Sequence, residues 1–347
     1  TGTNNLVLGY NADASSATVS DEITLGNASN TSLRIPGLQS GATNGQVLTY
    51  NSTNGNITLA NGGLTNNSSR SGSLGIGTHA LDDETTGADN TAVGFESQTV
   101  TSSGSWNTSL GSGALNTNGT GRSNTATGYR ALYQNTTGVE NVAVGYHAAQ
   151  ALTTATGVTA VGYEALKDTT TRHHSTAIGY RALTANTTGL GNTAVGYSTL
   201  STGTTSGAHN FNTAVGYQSL ANNTYYNNTG VGYRALYSNT NGAGNTAIGK
   251  EAGYSTTSGV NNTYLGTSAG YWGTTSDGNV AIGASALQNN TGAENVGIGY
   301  QAGNSVTTGS NLICIGYDAD ASSATATNEI TLGNASITSL RIPGLQS

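Results

Sequence analysis

Through most of this chain a short apolar phrase, Asn-Thr-Ala-Val-Gly-Tyr-X-Ala-Leu with small variations, alternates with a stretch of six to eight mostly polar residues. Positions are numbered from the glycine of the phrase. Position −1 is Val144, Val161, Ile178, Val195, Val215, Ile248, Ile282 and Ile298 in successive copies, and position −3 is Thr or Val. β-Branched residues two apart share one face of an extended segment, so the phrase predicts a strand. The other face carries Ala at −2, the glycine, and a variable polar residue at +2 such as Arg130, Glu164 or Gln218. Ala at +3 and Leu at +4 are adjacent, and simple alternation cannot bury both. The glycine therefore marks a corner or a close approach of two backbones. A second glycine follows ten residues after the first at Gly87, Gly104, Gly121, Gly138, Gly189, Gly242 and Gly259, where a turn wants positive φ. Each repeat reads as one strand, one corner, a short second segment and a polar turn. In this allocation Val and Leu point inward, and Ala and Gly sit where chains or coils crowd.

The anchor glycines run Gly77, Gly94, Gly111, Gly128, Gly145, Gly162, Gly179 and Gly196 at seventeen-residue steps, slip to Gly216 and Gly232, and continue through Gly249, Gly266, Gly283, Gly299, Gly316 and Gly333. Slips with prompt recovery are loop insertions on a fixed stack. A single unit cannot bury its own apolar atoms, whereas stacked units lay like on like in continuous ladders. Asn at −4 (Asn90, Asn107, Asn124, Asn141, Asn192, Asn212, Asn228, Asn245, Asn262, Asn279, Asn295) is expected to hydrogen-bond along the stack through its amide. Sixteen anchors at the strand spacing of roughly 4.8 Å make a rod on the order of 75 Å long. The fold expected is all-β, a stacked parallel β-roll or β-solenoid of about 17-residue coils. One good strand per coil leaves a thin core with two apolar faces, which favours an intertwined parallel homotrimer over a monomer.

A longer repeat overlies the first, because residues 1–40 copy residues 308–347 at an offset of 307. Thr-Ser-Leu-Arg-Ile-Pro-Gly-Leu-Gln-Ser occurs identically from Thr31 and from Thr338. With no Met and Thr at position 1, the chain reads as a segment of a longer polypeptide. Residues 1–40 are expected to end a preceding roll, 41–69 to form a connector, 70–335 to be the main roll, and 336–347 to open the next connector. In the connector, Gln46–Tyr50 and Asn56–Ala60 read as two strands about the turn starting at Asn51.

Composition narrows the function. Only 8% of residues are charged and Gly contributes 51 of 347, so the solvent face is built from neutral polar groups. The net charge of −7 is spread thinly with no basic run, which argues against nucleic-acid binding. No apolar stretch is long enough to cross a bilayer. The lone Cys314 stands where most copies have Ala, so it reads as a small buried residue.

Catalysis needs convergent titratable groups, and here Asp, Glu and His are scattered at +2 or in turns, so neither an enzyme nor a cofactor is expected. Asp82-Asp83-Glu84 is the densest acidic cluster, and Asp318-X-Asp320-X-Ser322 has cation-like spacing without the glycine and distal Glu of a calcium loop. His173 and His174 are a weak metal candidate, since neighbours on a strand face opposite ways. Asn-X-Ser/Thr sequons such as those at Asn135 and Asn186 follow from composition. The Tyr series at +1, from Tyr129 to Tyr233, reads as packing in preference to a sugar-stacking stripe. Better receptor-binding candidates lie where the register breaks or aromatics enter turns: the long turn Ser201–Phe211, with Phe211 itself, the pair Tyr225 and Tyr226, Trp106, and Tyr271 with Trp272.

The Asn-Thr-Ala-Val-Gly-Tyr-X-Ala-Leu array over residues 70–335 resembles the tail fibres of tailed bacteriophages and, more distantly, the head repeats of trimeric autotransporter adhesins. The segment from Glu329 to Arg341 is similar to the one that in many such fibres leads into a self-cleaving chaperone domain. The resemblance implies a left-handed trimeric β-roll. The expected role is a stiff spacer in a virion tail fibre, partnered by its own copies, by other fibre or virion proteins, and by a host-surface glycan or protein. A bacterial cell-surface adhesin or extracellular filament protein is the alternative. An ice-binding solenoid is disfavoured because its Thr residues would alternate with Val on a face the trimer buries.

Overall fold

The computed structural model describes residues 72–341 apart from 172, 186, 188 and 203–209, together with the backbone of five strands before them. The chain divides into two units, 1–62 and 63–347. In the first, β1 (Leu6–Leu8) pairs in parallel with β2 (Ile23–Leu25), and β3 (Gln46–Tyr50) pairs antiparallel with β4 (Ile57–Asn61).

The second unit is a solenoid. Its first strand, β6 (Leu74–Ile76), is flanked on one side by the short antiparallel β5 (Leu64–Thr65) and on the other begins a run of sixteen parallel strands that ends at β21 (Thr327–Leu332). All but the last two, β20 (Ser310–Ile315) and β21, are three residues long. Like stacks on like: Ala143 lies opposite Ala160, Ala177 and Ala194 in turn, and Val144 opposite Val161. The twenty-residue step from Gly196 to Gly216 leaves the register intact, with Thr193 opposite Thr213. The coil register holds at Thr202 and again at Asn210, and residues 203–209 between them lie outside the described residues. The 307-residue duplication reappears as geometry, since Leu6 pairs Ile23 as Ile313 pairs Ile330.

Inside and outside differ from the allocation read in the sequence. In the coil of Gly128 the buried side chains are Asn124, Ala126, Ala131, Leu132 and Asn135, so the core takes Ala from −2 and +3 and Leu from +4. The Val and Ile of −1 point outward, Val144 being 36% and Ile178 40% exposed. The reason is volume. One seventeen-residue turn already encloses a Leu and two Asn side chains, and the strand can add only a methyl to that space. The strand's larger apolar face is therefore uncovered in the single chain.

The second segment is no strand. Positions +2 and +4 both take left-handed backbone conformations, at φ 53° and 50° for Arg130 and Leu132, and 53° for both Glu164 and Leu166. Such residues cost on the order of 1–3 kcal/mol each and survive where surrounding structure over-determines them. Here hydrogen bonds to both neighbouring coils do so: Arg130 N–H donates to the carbonyl of Ser112 at 3.0 Å, and Leu132 N–H to that of Ala148 at 3.0 Å. The anchor glycine is a point of close backbone approach. Gly162 has φ +134°, and a Cβ there would lie 2.4 Å from the carbonyl oxygen of Gly179.

Candidate functional site

The most ordered chemistry in the molecule is laddered. Within the coils, the Asn124 side-chain oxygen accepts the Asn141 backbone N–H at 3.0 Å, while its Nδ2 donates to the Gly138 carbonyl at 2.9 Å and to Asn107 Oδ1 at 3.1 Å. The pattern runs from Asn90 to Asn141, whose Oδ1 takes the N–H of Val158, and resumes from Asn192 to Asn295. A second buried ladder at +7 was not anticipated: Asn135 Nδ2 donates to Asn118 Oδ1 at 2.7 Å, and Asn239 to Asn223 at 2.9 Å. Its signal is in the sequence, in the Asn that recurs three residues after the Leu, but a polar turn masked it. Asn135, one of the two sequons singled out, is fully buried in this ladder and closed to glycosylation in the folded chain. Asn186, the other, lies outside the described residues.

On the outer surface the +1 tyrosines form a second kind of ladder. Tyr129, Tyr146, Tyr163, Tyr180, Tyr197, Tyr217 and Tyr233 stack with ring centroids 5.0–5.4 Å apart and planes within 21° of parallel. Tyr237, Tyr254 and Tyr271 continue the stacking at +5, 5.3 and 5.0 Å apart, and Trp272 closes this run edge-on at 4.7 Å from Tyr271. The guanidinium of Arg234 lies 5.2 Å from both Tyr233 and Tyr237, joining the two runs, and Arg130 bridges Tyr129 and Tyr133 likewise. Each ring face is covered by the next ring, leaving edges and hydroxyls outward. That geometry disfavours sugar stacking, which needs open ring faces.

Charge along this surface is mostly local. The Glu164 carboxylate is nearly buried and accepts from Lys167 Nζ at 2.9 Å and Arg181 Nε at 2.7 Å. Burial opposes its ionisation, but the Lys167 and Arg181 hydrogen bonds prevail and hold it below the ordinary glutamate range. Beside it, the His147 ring stacks 4.0 Å from Tyr146, and burial, then Lys167 and Arg130, push its pKa down.

The receptor-binding candidates divide into separate places. Trp106 and Phe211 occupy equivalent corner positions, five residues before their glycines, both left-handed and about 60% exposed. Tyr225 and Tyr226 stack on each other at 4.4 Å one coil beyond Phe211, where Asn227 N–H donates to the Asn210 carbonyl. Tyr271 and Trp272 stand at +5 and +6 of a later coil. The structure thus sets Phe211, folded over Gly191 of the coil before, and the Tyr225–Tyr226 pair in neighbouring coils, and leaves Trp106 and Tyr271–Trp272 apart.

The polar candidates also separate. His79 and Asp82 pair on the surface, whereas Glu84 turns inside to the +7 position and accepts from Asn90 Nδ2 and Ser73 Oγ. His173 Nδ1 accepts the Thr156 N–H at 2.9 Å, and His174 folds over Gly157 in the preceding coil. Asp320 accepts the Ser305 N–H, and with Asp318, Thr331, Asn334 and Ser336 it borders an open cleft of about 600 Å³. Among the described residues no three His, Cys, Asp or Glu converge in a metal-holding group, and no helix is long and apolar enough to cross a membrane.

Comparison with family models, curated proteins and solved structures gives no match. The fold defines the class: a β-solenoid repeat protein.

Proposed function

We propose that this chain is a structural fibre segment, a rigid spacer of the tail-fibre kind that holds an attachment region away from the particle, and that it works as a parallel homotrimer. The observation that carries the reading is the uncovered outer face of the sheet. Parallel sheets are ordinarily covered on both faces, yet here Val144, Ile178, Ile248, Leu265 and Ile298 line an outer face, flanked by the tyrosine ladder. The seven stacked rings alone, at about 200 Å² a ring and two-fifths exposed, leave on the order of 600 Å² open. Adding the −1 and −3 residues takes the face past the roughly 1,000 Å² that a specific interface needs.

Only a partner with the same axial repeat can seat side chain against side chain along the whole length, and another copy in register has that repeat. Three copies closing about one axis satisfy it without leaving a free face. Continuous ladders with little charge suit length and stiffness better than chemistry. The fibre's attachment partner, a host glycan or protein, would then meet Phe211 and the Tyr225–Tyr226 pair or parts of the fibre beyond this segment.

Sedimentation equilibrium with negative-stain imaging tests this. The expected result is three times the 34.7 kDa chain mass and rods whose solenoid part is on the order of 75 Å long. Val144→Lys with Ile178→Lys, both on the outer face, should yield folded single chains. A parent that sediments as one chain would sink the assembly.

A further inference from the structure

The chain has few places where an oxidant can act. It contains no methionine and one cysteine. That cysteine, Cys314, is buried in β20, with its thiol pushed up to about 11 by burial first and then by Asp320 and Glu329. A buried, protonated thiol is a poor nucleophile and cannot form a disulfide within a chain that has no second cysteine. Tyrosine is abundant by contrast, with eighteen residues. From Tyr129 to Tyr233 their rings are two-fifths exposed, nearly parallel, and each within 5.4 Å of the next.

We propose that this ladder is a site of oxidative cross-linking, in which peroxide-driven one-electron oxidation of the haem-peroxidase type joins tyrosines of successive coils as dityrosine. Each phenol gives up one electron to the oxidant and its hydroxyl proton to water, leaving a phenoxyl radical. Two neighbouring radicals form a carbon–carbon bond between the ring positions beside their oxygens, and the two displaced ring hydrogens move to the oxygens and restore both phenols. The sum is two tyrosines and one hydrogen peroxide giving one dityrosine and two waters.

The geometry favours coupling in two ways. Stacking holds each ring beside a second phenol at a separation no unfolded chain maintains, which raises the effective concentration of the partner. The rings also carry their edges outward, where the reacting carbons lie. The register fixes which residues join: Tyr146 with Tyr163, Tyr163 with Tyr180, Tyr180 with Tyr197, and Tyr197 with Tyr217 across the inserted turn. Such bonds would staple coil to coil and serve the durability that disulfides give other extracellular proteins. The inference requires the phenol edges to lie at the rim of any seam between copies, where the oxidant reaches them.

The test treats the full chain with peroxidase and limiting hydrogen peroxide, reading dityrosine fluorescence and mapping linked peptides by mass spectrometry. An equal mixture of ¹⁵N-labelled and unlabelled protein, mixed after unfolding and refolded together, separates links within a chain from links between copies. The expected result is unmixed isotopes and links between tyrosines of successive coils, well above the yield in urea. A Tyr146→Phe, Tyr180→Phe, Tyr217→Phe variant keeps the stacked rings but leaves no two coupling phenols adjacent between Tyr129 and Tyr233, so links within that run should vanish. Circular dichroism identical to the parent establishes that this variant folds; if it does not, the single variant Tyr180→Phe should lose the links to Tyr163 and Tyr197 alone. Yields equal to the unfolded chain, links that ignore the register, or links chiefly between copies would each overturn the proposal.

Discussion

Replacing Asn124 by alanine probes the buried amide ladder, the feature on which coil-to-coil cohesion rests. Asn124 is 1% exposed. Its removal takes the acceptor from the Asn141 N–H, held at 3.0 Å, and a donor from the Gly138 carbonyl, at 2.9 Å. The two losses differ in weight. The Gly138 carbonyl keeps a second donor in Asn135 Nδ2 at 3.2 Å, and Asn107 Oδ1 keeps the Asn124 backbone N–H at 3.0 Å. The Asn141 N–H is left as the main orphan, which costs about 1–3 kcal/mol. The space of the missing amide adds about 1 kcal/mol, so the expected loss is roughly 2–4 kcal/mol. Urea unfolding measures the total, and hydrogen exchange at the Asn141 amide shows whether the opening is local. Asn124→Asp should cost more at neutral pH, because a carboxylate would face the Gly138 and Asn107 acceptors. That excess should shrink in acid, where a protonated Asp can donate. An alanine variant within about 0.5 kcal/mol of the parent, or unchanged protection at Asn141, would refute the accounting.

Other expectations follow from the same geometry. Gly162→Ala places a Cβ 2.4 Å from the Gly179 oxygen at φ +134° and should cost at least about 3 kcal/mol in thermal or urea unfolding. Tyr264→Ala should cost about 3–5 kcal/mol, because its ring fills the space beside Gly253 and Gly270; adding Gly270→Leu should recover part of the loss. Ser175→Asn, which restores an amide between Asn192 and the upstream coil, should raise stability by about 0.5–1.5 kcal/mol. Glu164, held below its ordinary value of 4.5, adds stability that is fully present above that value. The stability falls away as pH drops through the lower folded value. Thermal scans in acid should show this component, and Glu164→Gln should remove it.

Several features of the fold were legible in the residues. The seventeen-residue spacing of glycine required stacked coils, and the β-branched −1 and −3 positions placed one strand in each. Asn at −4 announced a ladder, since a short amide at a fixed station of a stack meets its own copy above and below. The hairpin near residues 46–60 was likewise readable, and appears as β3 paired with β4. The site candidates were less legible. Aromatics could be picked out individually, but their placement depended on coil geometry, which sets Phe211 and the Tyr225–Tyr226 pair in neighbouring coils and leaves Trp106 distant.

What the sequence by itself determined was the period, and with it the topology, the register and the chemical identity of each ladder, because a translational repeat makes every position contact its equivalent. Which side of the strand faces inward was decided by the tertiary structure. Alternation defines two faces without ranking them, and the small cross-section of the closed coil selected Ala126 over the larger −1 residues. The left-handed turns at Arg130 and Leu132 were equally invisible, as neither residue prefers that conformation and hydrogen bonds to adjacent coils impose it. The exchange of two Leu positions for Gly253 and Gly270, made good by Tyr264 from a strand, belongs to the same category: a volume shared by three coils exists only once they are stacked.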